Sequence, residues 1–196
     1  DKFKGAKRNL GTKMMATGEV MAIGNSFESA LLKGVRSLEI GQYTLARKYS
    51  QSKTIEELRK RVVIPDDERL FDLAEILRRG YMVEKVCEIT GMDKFFVHKI
   101  KKIVDMEEAL KTMTLEDLDE ETLREYKKKG FSDKGIADLL GVKPPQVYKR
   151  RKELGILPVY KMVDTCAGEF EAVTPYYYST YDKEDEVVVH DKKKVI

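Results

Sequence analysis

Short apolar stripes, each closed by a glycine, recur through the first two thirds of the chain, and this punctuation constrains the fold more than any other feature. An apolar residue at every third or fourth position marks one face of an α-helix, and a glycine just past the last of them supplies the left-handed residue that ends it. Phe27, Leu31, Val35 and Leu38 precede Gly41; Leu70, Phe71, Ala74 and Leu77 precede Gly80; Val83 to Ile89 precedes Gly91; Leu123 and Tyr126 precede Gly130. Start signals match these stops. Asn25 with Glu28, and Thr54 with Glu57, have capping-box spacing, and the Thr54 helix runs out before Pro65. Asp66 and Asp67 stand before the Leu70 stripe, Asp93 before a longer one with Phe96, Ile100, Ile103 and Val104, and Thr114 and Asp119 are later caps. None of these segments is long enough for a coiled coil. The expected fold is mainly α, a bundle of short helices with short β or extended segments at both ends.

The ends differ in character from the middle. Thr17 to Gly24 reads as a short apolar strand bounded by glycines, and residues 42–53 read as a polar linker. From Val159 to Tyr181 the chain holds β-branched residues and five tyrosines, with Thr174-Pro175 breaking any helix, so this segment is expected to be extended. An acidic run from Asp182 to Glu186 follows, and Lys192 to Lys194 with Val195 and Ile196 read as the first steps of a strand. A lone strand cannot pair its own backbone groups, so the expectation is an internal piece of something larger.

Charge narrows the classes of function. The net charge of +3 conceals a basic, acidic, basic order: residues 1–62 hold 13 Lys/Arg against 6 Asp/Glu, residues 63–126 hold 10 against 17, and residues 127–196 hold 14 against 11. Such an order fits surfaces that meet one another or a charged partner, and makes only a weak case for nucleic acid. No run approaches the roughly 18 apolar residues of a membrane span, and the first residues hold no apolar signal region. The two cysteines, Cys87 and Cys166, make neither a disulfide framework nor a zinc cluster. A cytoplasmic protein with no structural metal is expected.

Several residues invite a chemical role. Residues 130–155 have helix-turn-helix punctuation, with Ser132 as first cap, Gly141 in the turn and Pro144 and Pro145 opening the second helix, which carries Lys149, Arg150, Arg151 and Lys152. This is the alternative reading, a DNA-binding protein. Against it, four consecutive cations encircle a helix rather than lining one face, and only Gln146 is of the type that reads base edges. His98 and His190 have no acid or nucleophile at catalytic spacing, so His98 is expected at the surface. Cys87, between Val86 and Ile89, is expected as a small buried hydrophobe. Cys166 is a nucleophile candidate lacking a nearby histidine, and Asp164, Glu169 and Glu171 match no calcium loop. Gly18 and Gly24 fit no phosphate-binding loop. Glu19, between a glycine and an apolar run, is either a paired structural carboxylate or one facing a cavity.

Two stretches carry a family resemblance. Gly11-Thr12-Lys13-Met14-Met15-Ala16-Thr17-Gly18-Glu19-Val20-Met21-Ala22-Ile23-Gly24 resembles the tail of the first ATP-grasp domain in the large chain of carbamoyl-phosphate synthases. Pro158 to Phe170, containing Asp164, Thr165, Cys166, Ala167, Gly168 and Glu169, continues through Thr174-Pro175-Tyr176-Tyr177-Tyr178-Ser179-Thr180-Tyr181 and resembles the segment closing that family's oligomerisation domain. Glu68-Arg69-Leu70-Phe71 and Gly130-Phe131-Ser132-Asp133 fall between them in the same order. The sequence departs from the family at Met15 and Ala16, where a lysine and a serine are usual, and at Gly168, where an alanine is.

The resemblance implies a division into residues 1–41, the tail of the first ATP-grasp domain; 42–157, a helical oligomerisation domain; and 158–196, an extended return leading into the second synthetase half. It implies a parent ligase that makes carbamoyl phosphate from bicarbonate, glutamine-derived ammonia and two ATP with Mg or Mn, in arginine or pyrimidine biosynthesis. No catalytic residue and no cofactor site are then expected in this chain. The implied partners are the two ATP-grasp halves, other large subunits and, through the parent, a glutaminase small subunit, with neither membrane nor nucleic acid. Gly18, Val20, Met21, Asp164, Thr165, Cys166, Glu169, Phe170, Pro175, Tyr178 and Tyr181 become structural positions of the family pattern. Glu19 becomes the candidate for lining an internal passage for the intermediate, and Phe95 and Phe96 the candidate oligomer contacts.

Overall fold

The computed structural model describes residue 5 and residues 7–14, 20–173 and 176–187. Among them are nine helices: α1 (Phe27–Ser37), α2 (Lys48–Gln51), α3 (Ile55–Arg61), α4 (Arg69–Arg78), α5 (Val83–Thr90), α6 (Lys94–Leu110), α7 (Glu120–Lys128), α8 (Asp133–Leu140) and α9 (Pro144–Glu153). A small antiparallel sheet follows, β1 (Val159–Met162) on β2 (Tyr177–Thr180), with Val159 opposite Thr180 and Met162 opposite Tyr177. The mainly α expectation holds.

Local chemistry sets most helix starts. The Thr54 hydroxyl accepts from Glu57 N while the Glu57 carboxylate accepts from Thr54 N, completing the capping box of α3. Asp93, Asp119 and Ser132 cap α6, α7 and α8 by accepting from Phe95 N, Thr122 N and Gly135 N. Gly91 and Gly141 end α5 and α8 in the left-handed conformation, at φ 68° and 72°.

Helix α6 runs through the middle of the bundle, packed against α1, α4, α5 and α8, while α8 and α9 pack on each other. One continuous core joins them. Leu32 of α1, Leu58 of α3, Phe71 and Ile76 of α4, Ile103 and Leu110 of α6, Leu123 of α7, Ile136 of α8 and Val147 of α9 are all buried in it. Each such side chain contributes roughly 1.5–3 kcal/mol of burial, which is why helices individually too short to persist are stable together.

Several expectations are corrected. Of the strand expected from Thr17 to Gly24, residues 17–19 lie outside the described residues, and Val20 to Gly24 forms no strand, since no backbone pairs with it among the described residues. Ser26, not Asn25, caps α1 by accepting from Ser29 N, and the Asn25 amide donates instead to Asp182 at 2.7 Å. The α1 stripe turns accordingly: Glu28, Ser29, Leu32 and Val35 are buried, while Leu38 lies past the last turn and is exposed. Gly41 is left-handed but stands beyond the C-cap, Leu38. Asp66 and Asp67 do not cap α4 directly: Glu68 occupies that position, Asp66 accepts from Glu68 N, and Asp67 pairs with Arg8. Thr114 opens a turn closed on Asp117 rather than a helix. On α6 the buried face begins at Val97, and Phe96 is exposed.

Residues 42–53 are no loose linker. They contain α2, and Leu45 and Ser50 are fully buried. Leu45 N donates to the buried carboxylate of Glu107 at 2.6 Å, and the Gln42 amide donates to the carbonyls of Thr44 and Ala46. Arg78 of α4 closes the arrangement by pairing with Glu107, with Glu108 at 2.6 Å and with Glu75 at 2.9 Å. Burial pushes the Glu107 carboxyl up against the pull of Arg78. Removing one partner from so enclosed a pair costs about 3–5 kcal/mol, because the other charge is left stranded.

Candidate functional site

Two surfaces stand out. The first is aromatic. Phe27 opens α1, and Phe95 and Phe96 open α6, so packing of the two helices brings three rings together. Phe27 lies 6.2 Å from Phe95 and 5.5 Å from Phe96, and Phe95 lies 5.4 Å from Phe96, in edge-on or tilted contacts. Phe95 and Phe96 remain 53% and 45% exposed. Two adjacent helical positions point about 100° apart, so a single neighbouring helix does not cover both; the rings form a ridge with water on its outer side.

The second is a polar cleft of about 250 Å³ where α1, the α7–α8 turn and the end of β2 meet. The α7–α8 turn is pressed onto α1 at Gly130, φ +92°, where an added Cβ would fall 2.7 Å from Ser29 Cα. Gly130 O accepts from Arg36 at 2.6 Å. Lys127 Nζ, 5% exposed, donates to Phe131 O at 2.8 Å and to Asp133 Oδ1 at 2.7 Å. Burial drags the Lys127 ammonium down to about 8; Asp133 opposes this, and Arg151 and Arg36 reinforce it. Tyr181, the last aromatic residue of the family pattern, packs on the helical core with Lys127 4.9 Å from its ring centre.

The remaining family-pattern residues are spread along the return segment. Asp164 Oδ1 accepts from Cys166 N at 2.8 Å, and Cys166 O accepts from Glu169 N, which holds Thr165 to Glu169 as a compact turn. Ala167 and Gly168 are both left-handed there, at φ 53° and 75°. Phe170 is 76% exposed and Tyr178 lies beneath Lys33, while Val20 and Met21 are exposed. Gly18, Glu19, Pro175, His190 and the terminal Lys192 to Ile196 lie outside the described residues.

Among the described residues no histidine hydrogen-bonds Cys166, His98 is exposed on α6, and no three His, Cys, Asp or Glu side chains cluster as for a metal. Cys87 is half-buried against the core. The helix-turn-helix outline is real, since α8, Gly141 and α9 follow one another as expected, but its cations divide between the interior and the surface. Arg151 is buried on Asp133 and on Ile156 O, Arg150 donates to Leu118 O, Lys149 pairs with Glu153, and Lys152 lies over Tyr148. Phosphate contacts need a row of free cations along one face, and with Arg150 and Arg151 turned to the protein only Lys149 and Lys152 of the four remain exposed. The residues that sequence reasoning missed are Lys33 and Arg36, three apart on α1, and Lys127 on α7, which the fold brings to the same cleft. Only Lys127 gave a faint signal, standing in Lys127-Lys128-Lys129 before a glycine.

Among the described residues no helix is long and apolar enough to cross a membrane. Residues 19–155 match the family model described as carbamoyl-phosphate synthetase large chain, oligomerisation domain. All 196 residues align with the carbamoyl phosphate synthase large chain of Clostridium botulinum (strain Loch Maree / Type A3) at 62% identity, covering 18% of that protein. The corresponding proteins of Clostridium perfringens (strain 13 / Type A) and Clostridium beijerinckii align over the same length at 59% identity, again covering 18% of each. With a helical bundle over the matched residues and identity of this order along its whole length, the chain belongs to the carbamoyl-phosphate synthetase large-chain family and carries that family's oligomerisation domain.

Proposed function

We propose that this chain is the connector and self-association module of a carbamoyl-phosphate synthase large subunit, and that the Phe27–Phe95–Phe96 ridge is its contact with a second copy. The observation carrying this is the exposure of two adjacent phenylalanines on a domain whose family description is oligomerisation. The whole enzyme would couple bicarbonate, glutamine-derived ammonia and ATP with Mg or Mn, serve arginine or pyrimidine biosynthesis and act in the cytoplasm with a glutaminase subunit. Its active sites would lie in the two ATP-grasp halves, and residues 1–41 and 158–196 would be the portions joining them to the helical domain. Glu19 would line the passage between the halves.

Sedimentation velocity across concentration tests the contact. In a two-fold interface each buried phenylalanine counts twice. Half-burying four rings is worth about 3–4 kcal/mol, so Phe95→Glu with Phe96→Glu should weaken self-association at least a hundredfold. A change below threefold would remove the ridge as the interface. The exposed apolar edge at Ile55, Val63 and Ile64, around α3, would then be the face to alter next.

A further inference from the structure

The polar cleft at α1, the α7–α8 turn and β2 carries more positive charge than its carboxylates balance. Lys33 Nζ donates to Ile23 O at 2.7 Å and Ser179 O at 2.6 Å, and Arg36 donates to Gly130 O. Among the described residues neither meets a carboxylate. Both are half-buried, and burial lowers the proton affinity of each. A backbone carbonyl supplies a dipole but no compensating charge, so a partly desolvated cation held only by carbonyls keeps much of its penalty.

Neighbouring acids are already taken. Asp133 is shared between Lys127 and Arg151, at 2.7 and 3.2 Å. Asp182 is held by Lys128, Asn25 and Thr180. Glu28, one residue before Ser29 of the cleft lining, is engaged through Oε1 by Lys99 at 3.4 Å and Lys129 at 4.0 Å, while its buried Oε2 has no hydrogen-bond partner among the described residues. The opening, about 250 Å³, is large enough for a small polyatomic ion, and Ser132, whose hydroxyl oxygen accepts from Gly135 N, still has a proton to donate.

We propose that this cleft is a binding site for a small oxyanion, phosphate or carboxylate in type, held by Lys33, Arg36, Lys127 and the Ser132 hydroxyl. The site is independent of the aromatic ridge and of self-association. Charge-assisted hydrogen bonds to a guanidinium are the strongest available to such a ligand, which makes Arg36 the principal donor. Bound charge also relieves the mutual repulsion of Arg36, Lys127 and Arg151.

The probes are inorganic phosphate and acetate, titrated into the full chain against sodium chloride of equal ionic strength. Binding is read by calorimetry and by the dependence of Tm on ligand concentration. Saturable binding of phosphate, weakened at least tenfold by Arg36→Gln, restored in part by Arg36→Lys and unaffected by Lys152→Gln, is the expected result. Lys33→Gln provides a second reading should Arg36→Gln fail to fold. Saturable binding of acetate as strong as that of phosphate also supports the site and identifies a carboxylate as its natural occupant. No saturable effect beyond the chloride control, or phosphate affinity unchanged from the unaltered chain in Arg36→Gln and Lys33→Gln, would overturn the proposal.

Discussion

Gly130→Ala puts the tightest backbone approach at any described glycine to a quantitative test. Gly130 has φ +92°, and a Cβ built there lies 2.7 Å from Ser29 Cα, 3.0 Å from Ser29 O and 3.3 Å from Ser29 C. All three are backbone atoms of α1, so relief requires the helix to move rather than a side chain to rotate. Holding a non-glycine residue in the left-handed region costs about 1–3 kcal/mol. Forcing a methyl into packed backbone adds about 1–3 kcal/mol more. Gly91→Ala is the matched control: its φ is +68° with nothing within 4 Å of the added Cβ, so it carries the first cost alone. Urea unfolding followed by far-UV circular dichroism should place Gly130→Ala roughly 1–3 kcal/mol below Gly91→Ala, with similar m-values. The shift should also draw Arg36 away from Gly130 O. Equal destabilisation by the two substitutions would refute the close approach of the α7–α8 turn to α1.

Lys127, brought by burial from 10.5 to about 8, binds its proton more tightly in the unfolded chain than in the folded one. Its share of stability is therefore present above pH 10.5 and lost as pH falls through about 8, a swing of about 3 kcal/mol at most. The difference in unfolding free energy between the native chain and Lys127→Met should change by that order across this window; a pH-independent difference would contradict the burial. In the intact large subunit, Glu19→Gln should uncouple ATP hydrolysis in the two halves, measured as ADP released per carbamoyl phosphate formed. An unchanged ratio would dismiss Glu19 from the passage.

Much of the helical punctuation was readable because caps are local. Thr54 with Glu57, Asp93, Asp119, Ser132, Gly91 and Gly141 each act within four residues of themselves. Errors arose where one residue of phase mattered. Taking Asn25 rather than Ser26 as the cap turned the α1 stripe by about 100° and hid Leu32 behind Leu31. They arose again where a partner was remote. Leu45 is buried because Glu107, 62 residues away, receives its amide, and nothing around Leu45 announces that. The oxyanion cleft was invisible for the same reason, since Lys33 and Lys127 share no element. Phe95 and Phe96 were legible as a pair, but the third ring, Phe27, entered only through the packing of α1 on α6.

The segment between α1 and α3 has a mechanical consequence. A joint whose amide is fastened to Glu107 and whose side chain lies in the core has no slack to give. Helix α1 is thus fastened to α6 both by direct packing and through the segment that follows it. Ile23 and Ser179 are both tied to Lys33 near the middle of α1. A displacement of either extended segment should therefore reach α1 directly through Lys33.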